Sequence, residues 1–163
     1  MIESARAMRG WAPVTAGVVI ADQLTKWWAE SRLDDRDVDL IWTLRLHLSH
    51  NTGMAFSRGQ NIGPIIGVVA LVVIVAMLLS LKRQSGRVAN LAVGMIIGGA
   101  IGNVLDRLFR SPGWFRGAVV DFIDLQWFPI FNVADMGITI GGVLLVLSSW
   151  HAAKPAAVLE EST

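Results

Sequence analysis

The chain has 163 residues, of which 53% are hydrophobic and 17% are charged, and its mean hydropathy is +0.53. A single soluble domain of this length needs a larger polar share to cover its surface, so part of its apolar surface must face something other than water. The formal net charge of +1 gives no reason to expect nucleic-acid binding. The absence of cysteine excludes a disulfide framework, a thiol nucleophile and a cysteine metal site.

Four segments are candidates for membrane-spanning helices, since about 20 helical residues cross a bilayer. They are residues 10–29, 62–81, 88–108 and 135–153. The first is apolar until Asp22 and Lys26 interrupt it. Because Arg6 and Arg9 precede it, this segment also resembles a cleavable signal peptide, but its DQLTKWWAE end lacks the small-residue cleavage pattern. We therefore predict four spans within one domain that covers residues 1–163.

The distribution of lysine and arginine predicts the orientation of these spans. The KRQSGR loop between the second and third spans contains three basic residues and no acid, and Arg6, Arg9 and Lys154 lie near the two termini. The positive-inside rule therefore places both termini and this loop in the cytoplasm. Residues 30–61 and 109–134 then lie on the outer side.

Two of the outer segments have strand patterns. TLRLHLS, from Thr43 to Ser49, alternates apolar and polar residues, and AVVDFIDL, from Ala118 to Leu125, is β-branched and apolar. PGWFRG, from residue 112 to residue 117, predicts a turn, and residues 155–163 are expected to form a disordered tail. The predicted fold is therefore an all-α membrane protein of four transmembrane helices. A small extracytoplasmic sheet is expected between helices 1 and 2 and before helix 4.

Charged residues within a span are informative, since they persist mainly where they are paired or functional. Asp22 and Lys26 are four apart and share one helix face, where they form either an interfacial salt bridge or a contact with substrate. The glycine-rich third span ends in Asn103, Asp106 and Arg107, which place an amide and an ion pair at its outer end. This group is either a polar clamp on the outer loops or part of the chemistry.

Asp121 and Asp135 are placed differently from the other acids. Asp121 has apolar neighbours, and Asp135 starts the last span. If they converge, the two carboxylates share one proton, so that one deprotonates water while the other polarises a peptide carbonyl. The alternative is structural: Asp135 caps the last helix and Asp121 is a solvated strand residue.

Other chemistries find less support in the sequence. His47, His50 and His151 do not have metal-ligand spacing, and no serine lies in a GxSxG context. No metal site is predicted. A four-helix transporter or channel subunit, with Asp and Lys relaying ions, is the main rival, and a noncatalytic membrane scaffold is the second.

Five motifs spread over residues 15–150 resemble, in order and in position relative to the four spans, those of the lipoprotein signal peptidase (signal peptidase II) family of membrane aspartic peptidases. They are DQLTK (from Asp22), NTGMAF (from Asn51), GGAIGNVLDR (from Gly98), VVDFI (from Val119) and FNVAD (from Phe131). The presence of both motif aspartates argues against an inactive scaffold. The acidic stretch LDDRDVD, from Leu33 to Asp39, is not part of the resemblance.

The resemblance implies that Asp121 and Asp135 are the catalytic aspartates and that Asp124 is not. The residues that it implies shape the site or hold substrate are Asn51, Asn103, Asp106, Arg107 and Asn132, with Asp22 and Lys26 as support. The implied substrate is a diacylglyceryl-modified prolipoprotein, cut before its lipidated cysteine by water and without a cofactor. The implied location is the bacterial plasma membrane, with the site near its outer face. We expect a monomer surrounded by membrane lipid, with no nucleic-acid partner.

Overall fold

The computed structural model describes residues 10–34, 36–53, 62–81 and 86–153. Within these ranges the chain forms four helices and three strands. In chain order they are α1 (Trp11–Arg32), β1 (Val38–Ile41), β2 (Leu44–Asn51), α2 (Gly63–Ser80), α3 (Arg87–Phe109), β3 (Val119–Asp124) and α4 (Val133–Ala153). The mostly helical fold with a small antiparallel sheet agrees with the fold class predicted from the sequence.

Three of the described helices are long and apolar enough to cross a membrane. They are α2, α3 and the Val133–Trp150 part of α4. Helix α1 has 22 residues, which is a sufficient length, but it is not among the three. Its charged residues, Asp22 and Lys26 among them, lower its average hydropathy. The prediction of a fourth span over α1 therefore stays a prediction.

Helix α3 is the centre of the bundle, and α1, α2 and α4 all pack against it. Its membrane-length window is 67% buried, compared with 11% for α2. Glycines make this position possible, because small residues let helix backbones approach closely. A Cβ on Gly98 would lie 2.9 Å from the Thr15 carbonyl oxygen of α1, and a Cβ on Gly99 would overlap the Ala134 carbonyl of α4.

The three strands form an antiparallel sheet in the order β1–β2–β3. Asp39 of β1 lies opposite Arg45, and Ser49 of β2 lies opposite Asp121 of β3. Strands β2 and β3 coincide with the two segments predicted as strands. Strand β1 was not predicted, because four residues at the end of an acidic stretch are too few to show an alternation.

The sheet is attached to the carboxyl-terminal end of α1 by a small apolar core. Phe122 of β3 packs with Ala29 and Leu33, and its ring lies edge-on to Trp28, 6.5 Å away between centroids. Since β3 also leads through residues 125–132 into α4, this packing places the end of β3 and the start of α4 beside each other.

Several predicted features lie outside the described residues. They are both basic termini, residues 82–85 of the KRQSGR loop, residues 54–56 of NTGMAF and the tail at 155–163. The predicted orientation and the predicted disordered tail therefore stay predictions.

Candidate active site

Asp121 is held on β3 with its carboxylate turned away from water. The side chain is 3% exposed. Its Oδ1 accepts a hydrogen bond from Asn132 Nδ2 at 2.6 Å, and its Oδ2 accepts one from Asn51 Nδ2 at 3.1 Å. Burial and then the charge of Asp135 raise the pKa of Asp121 to about 7, although both amide donors oppose this rise. A carboxyl group with this pKa is mostly protonated below neutral pH and about half protonated near pH 7.

Asp135 is the third residue of α4 and forms a capping box with Asn132. The Asn132 backbone N–H donates to Asp135 Oδ2 at 3.2 Å, and the Asp135 N–H donates to Asn132 Oδ1 at 3.0 Å. The other oxygen, Oδ1, accepts from Asn103 Nδ2 of α3 at 2.8 Å. The capping alternative is therefore correct for one oxygen of Asp135, while the other is held by a different helix.

Three asparagines connect the two aspartates. Asn132 Nδ2 donates to Asp121 and also to Asn103 Oδ1, at 2.6 and 3.2 Å. Because Asn103 Oδ1 also accepts from Lys26 Nζ at 3.0 Å, its amide nitrogen is directed at Asp135. With the bond from Asn51, each of the four carboxylate oxygens accepts one N–H. The network fixes the rotamers of both acids.

Asp121 and Asp135 line one cavity of about 340 Å³. Its polar wall also contains Asn51, Asn103 and Arg107. The remaining lining residues are Gly53, Ile66, Ala70, Ala100, Val104, Val119 and Ile138. Ala100 lies one turn from Asn103 along α3, and Ile138 lies one turn from Asp135 along α4. The polar part of the cavity is therefore next to the sheet, and the apolar part continues between the helices.

Lys26 is the centre of a buried ion cluster behind this cavity. Its Nζ lies 2.9 Å from Asp22 Oδ2 and 2.8 Å from Asp106 Oδ2, and all three side chains are fully buried. The predicted Asp22–Lys26 pair is present, but the protein interior surrounds it. Asp22 Oδ1 also accepts from the Ala134 N–H at 2.9 Å. Neither Asp22 nor Lys26 lines the cavity, so their contacts support the site from behind and tie α1 to α3 and α4.

The predicted ion pair between Asp106 and Arg107 is wrong. Asp106 binds Lys26 and, through Oδ1, Arg110 Nε at 2.9 Å. Adjacent residues on a helix do not face each other, whereas residues four apart do. Arg107 instead points to the cavity, where Nη2 donates to the Gly53 carbonyl at 3.3 Å and the buried Nη1 has no partner among the described residues. Asp106 and Arg107 therefore lie on different sides of α3.

The family model of signal peptidase (SPase) II matches residues 14–151. This chain belongs to the signal peptidase II family. The lipoprotein signal peptidase of Rhodococcus jostii is 39% identical over 145 residues, which are 87% of this chain and 73% of that protein. The lipoprotein signal peptidase of Mycobacterium leprae is 36% identical over 146 residues, which are 88% and 73% of the two proteins.

A solved structure gives the same result at the level of the fold. It is described as a bacterial membrane enzyme studied by the in meso method. The superposition covers 86% of this chain and 87% of the chain in that structure, with a TM-score of 0.75 and 26% sequence identity. Membership of the signal peptidase II family makes the chain a peptidase. Its membrane-capable helices agree with a membrane location.

The buried cluster of this signal peptidase II also contains two residues that were not predicted as site residues, Gln23 and Arg110. Gln23 Nε2 lies 3.1 to 3.2 Å from Asp22 Oδ2, the Gly102 carbonyl oxygen and Asp106 Oδ1, and its two N–H groups donate to this set of acceptors. Arg110 bridges Asp106 to Glu30. Arg110 follows Asp106 by four residues, so helical spacing was the available signal for it. Gln23 lies inside the DQLTK motif next to Asp22, and spacing gave no such signal.

Asp124 lies on the same strand as Asp121 but has different partners. Its Oδ2 lies 2.6 Å from Arg45 Nε, and its Oδ1 accepts from the Gln126 N–H at 2.6 Å. Burial opposes ionisation, but these donors and the Arg45 charge hold the pKa of Asp124 below its ordinary value. It does not line the cavity. Among the described residues, no group of three or more His, Cys, Asp or Glu is placed to hold a metal ion.

Proposed function

We propose that this member of the signal peptidase II family is a membrane aspartic endopeptidase. It removes the signal peptide from diacylglyceryl-modified prolipoproteins by cutting before the lipidated cysteine. The observation that carries this proposal is that Asp121 and Asp135 line one cavity with every carboxylate oxygen held by an N–H. The names of its relatives, lipoprotein signal peptidases, support the substrate class.

In the proposed reaction the two carboxyl groups share one proton. Asp121, with a pKa of about 7, carries that proton and donates a hydrogen bond to the scissile carbonyl oxygen. Asp135 accepts a proton from water, whose oxygen attacks the carbonyl carbon. When the tetrahedral intermediate collapses, the C–N bond breaks, the amine leaves with one proton, and the dyad again holds one. Peptide plus water therefore gives a carboxyl and an amino group, and no other reactant is needed.

The shape of the cavity supports a substrate that is half peptide and half lipid. Its polar part is lined by Asn51, Asn103 and Arg107, side chains that can hydrogen-bond a peptide backbone. Its apolar part, between Ile66 of α2 and Ile138 of α4, accepts hydrocarbon. An acyl chain that remains in the bilayer therefore has a path between helices that lead to the two aspartates.

The direct test is cleavage by the purified protein. We expect it to release a signal peptide from a lipidated prolipoprotein, with mass spectrometry placing the new amino terminus at the lipidated cysteine. The same precursor without its diacylglyceryl group is the matched control and is expected to remain uncut. Cleavage of both at the same rate would contradict the proposed substrate class, and cleavage of neither would contradict the proposed function.

The proposed topology has four spans, with α1 as the first, the sheet outside and both termini in the cytoplasm. The burial of Asp22 and Lys26 against α3 and α4 supports α1 as a span, because these charges do not face lipid. A single cysteine at Ser85, in a chain with no cysteine, is expected to react with an impermeant thiol reagent only after the cells are opened. Labelling from outside intact cells would reverse the orientation.

The proposed proton sharing predicts the alkaline limit of activity. Below a pH of about 7, Asp121 holds its proton; as the pH rises through this value the proton is lost and kcat/KM falls. The profile as a whole is expected to be bell-shaped and to report the pair. The hydrogen bond from Asn51 stabilises the ionised form of Asp121, so Asn51→Ala is expected to move the alkaline limb to higher pH. An unmoved limb would remove Asn51 from the site.

A further inference from the structure

The end of α2 that begins at Gly63 contacts the rest of the protein through a face made of two glycines. Gly63 and Gly67 are the buried residues of this helix, and since they are four apart they lie on one side of it. Many of its larger side chains are exposed, Val68 and Val72 by 55% and 62%. We call the surface of these two glycines the glycine seat. The position of this helix end depends on the groups that occupy the seat.

The seat is occupied by an aromatic ring and a guanidinium group. A Cβ on Gly67 would lie 2.5 Å from Cδ1 of Phe115 and 3.6 Å from Cδ of Arg107. A Cβ on Gly63 would lie 3.0 Å from Arg107 Nη1 and 3.6 Å from the Phe115 carbonyl oxygen. The glycines therefore provide the volume in which both side chains lie against α2.

Phe115 reaches the seat from a turn that is fastened to the end of α3. The Trp114 N–H donates to the Leu108 carbonyl at 3.2 Å, and the Gly117 N–H donates to the Arg107 carbonyl at 3.1 Å. Trp114 and Phe115 have φ angles of 49° and 62°, a region that bulky residues adopt only at an energetic cost. The Trp114 side chain is 87% exposed, so the packing gained by this conformation is that of the Phe115 ring.

We propose that Phe115 is a positioning residue for the substrate-binding part of the cavity. Its ring holds the outer end of α2 against α3, keeps Arg107 directed into the cavity, and sets the distance between the Ile66 wall and the Ile138 wall. This rests on the proposed function, since the molecule positioned is the lipidated peptide.

Phe115 is expected to affect substrate binding and not the chemical step. The hydrogen bonds that hold Asp121 and Asp135 come from β2, α3 and the residue before α4, and α2 contributes Ile66 and Ala70 to the cavity wall. Loss of the Phe115 ring therefore disturbs the α2 wall and leaves the carboxylates in place. The expected signature is a change in KM and not in kcat.

The first test compares Phe115→Ala with Phe115→Leu on a lipidated prolipoprotein. Phe115→Ala is expected to raise KM about tenfold with kcat within about twofold of the wild type, because it removes binding that the ground state and transition state share. Phe115→Leu, which refills most of the seat, is expected to restore KM, and Trp114→Ala is the exposed control. An unchanged KM, or equal losses in kcat and kcat/KM, would overturn the assignment.

The second test is a double-mutant cycle within the seat. Gly67→Ala is expected to raise KM, because the new methyl group collides with the ring, and to have little effect in the Phe115→Ala background, where that space is empty. Gly142→Ala, which meets nothing within 4 Å, is the control. Additive effects of the two changes would overturn the contact. Should Phe115→Ala not fold, Gly67→Ala with and without Phe115→Leu gives the same comparison.

A third measurement does not depend on activity. With Ala70→Cys as the single cysteine of the chain, Phe115→Ala is expected to increase the rate of thiol modification, since the α2 wall moves away from its neighbours. Equal rates would contradict the positioning role even if the enzyme is active. Failure of the proposed function is recognised separately, by wild-type protein that does not cleave.

Discussion

Asp121→Asn and Asp135→Asn are each expected to lower kcat by about 10³-fold or more, to near background. Asparagine keeps the shape of aspartate and one acceptor oxygen, but it cannot take up or release the shared proton. Each variant should still fold and bind substrate, because asparagine fills the same volume and its amide oxygen still accepts one of the two N–H bonds. The double variant is expected to be scarcely slower than either single one, since groups that act as a unit are strongly non-additive. Cleavage of a lipidated prolipoprotein measures all three.

Asp124→Asn is the matched control on the same strand. Its carboxylate binds Arg45 and the Gln126 N–H outside the cavity, so this variant is expected to keep most activity. A properly folded Asp121→Asn or Asp135→Asn protein that cleaves substantially would overturn the dyad. An inactive Asp124→Asn protein beside an active Asp121→Asn protein would transfer the role to Asp124.

Lys26→Met is expected to have the largest effect on stability. It removes the cation between Asp22 and Asp106, both fully buried, and breaking a buried ion pair from one side costs about 3–5 kcal/mol. The unfolding temperature in detergent should fall by about 10 °C. Activity should fall as well, because Asn103 loses the Lys26 hydrogen bond that orients its amide toward Asp135.

Two comparisons separate charge burial from a general effect of mutation. Glu30→Gln changes a partly exposed ion pair at the end of the same cluster and is expected to cost at most about 1 kcal/mol. Adding Asp22→Asn to Lys26→Met removes one of the uncompensated charges and should recover part of the lost stability. Lys26→Met protein that unfolds at the wild-type temperature would show that the cluster contributes little.

The helices and strands that could be predicted from the sequence are those with a recognisable local pattern of residues. Long apolar runs predicted α2, α3 and α4, and alternation or β-branched composition predicted β2 and β3. Strand β1 has neither signal, since it contains four residues and pairs only at the edge of the sheet. For α1, the average hydropathy hides an asymmetry: its polar residues face α3 and α4, while residues such as Leu24 and Trp27 are exposed by 60% and 68%.

The candidate site could be predicted only in part, because its side chains meet through contacts between elements that are distant in sequence. Spacing alone left Asp135 between a helix cap and a site residue, and the structure gives each of its oxygens a different partner. The resemblance named the asparagines, but which oxygen each one holds depends on three elements distant in sequence. Sequence adjacency predicted an ion pair between Asp106 and Arg107, but adjacent residues on a helix do not face each other, and Arg107 points to the cavity. The position of Phe115 in the glycine seat depends on the left-handed backbone conformation of Trp114 and Phe115, which amino-acid composition does not predict.

The buried cluster also has a consequence for the order in which the molecule is assembled. Asp22 and Lys26 are translated early, yet Asn103 and Asp106 follow about 80 residues later, and the Ala134 N–H that Asp22 binds is later still. Until then α1 has only its internal Asp22–Lys26 pair to offset these two charges, whereas α2, which contains no charged residue, needs no distant polar partner. Among the described helices, α1 therefore precedes the others in the chain but can complete its polar contacts only after α3 and the start of α4 have been made.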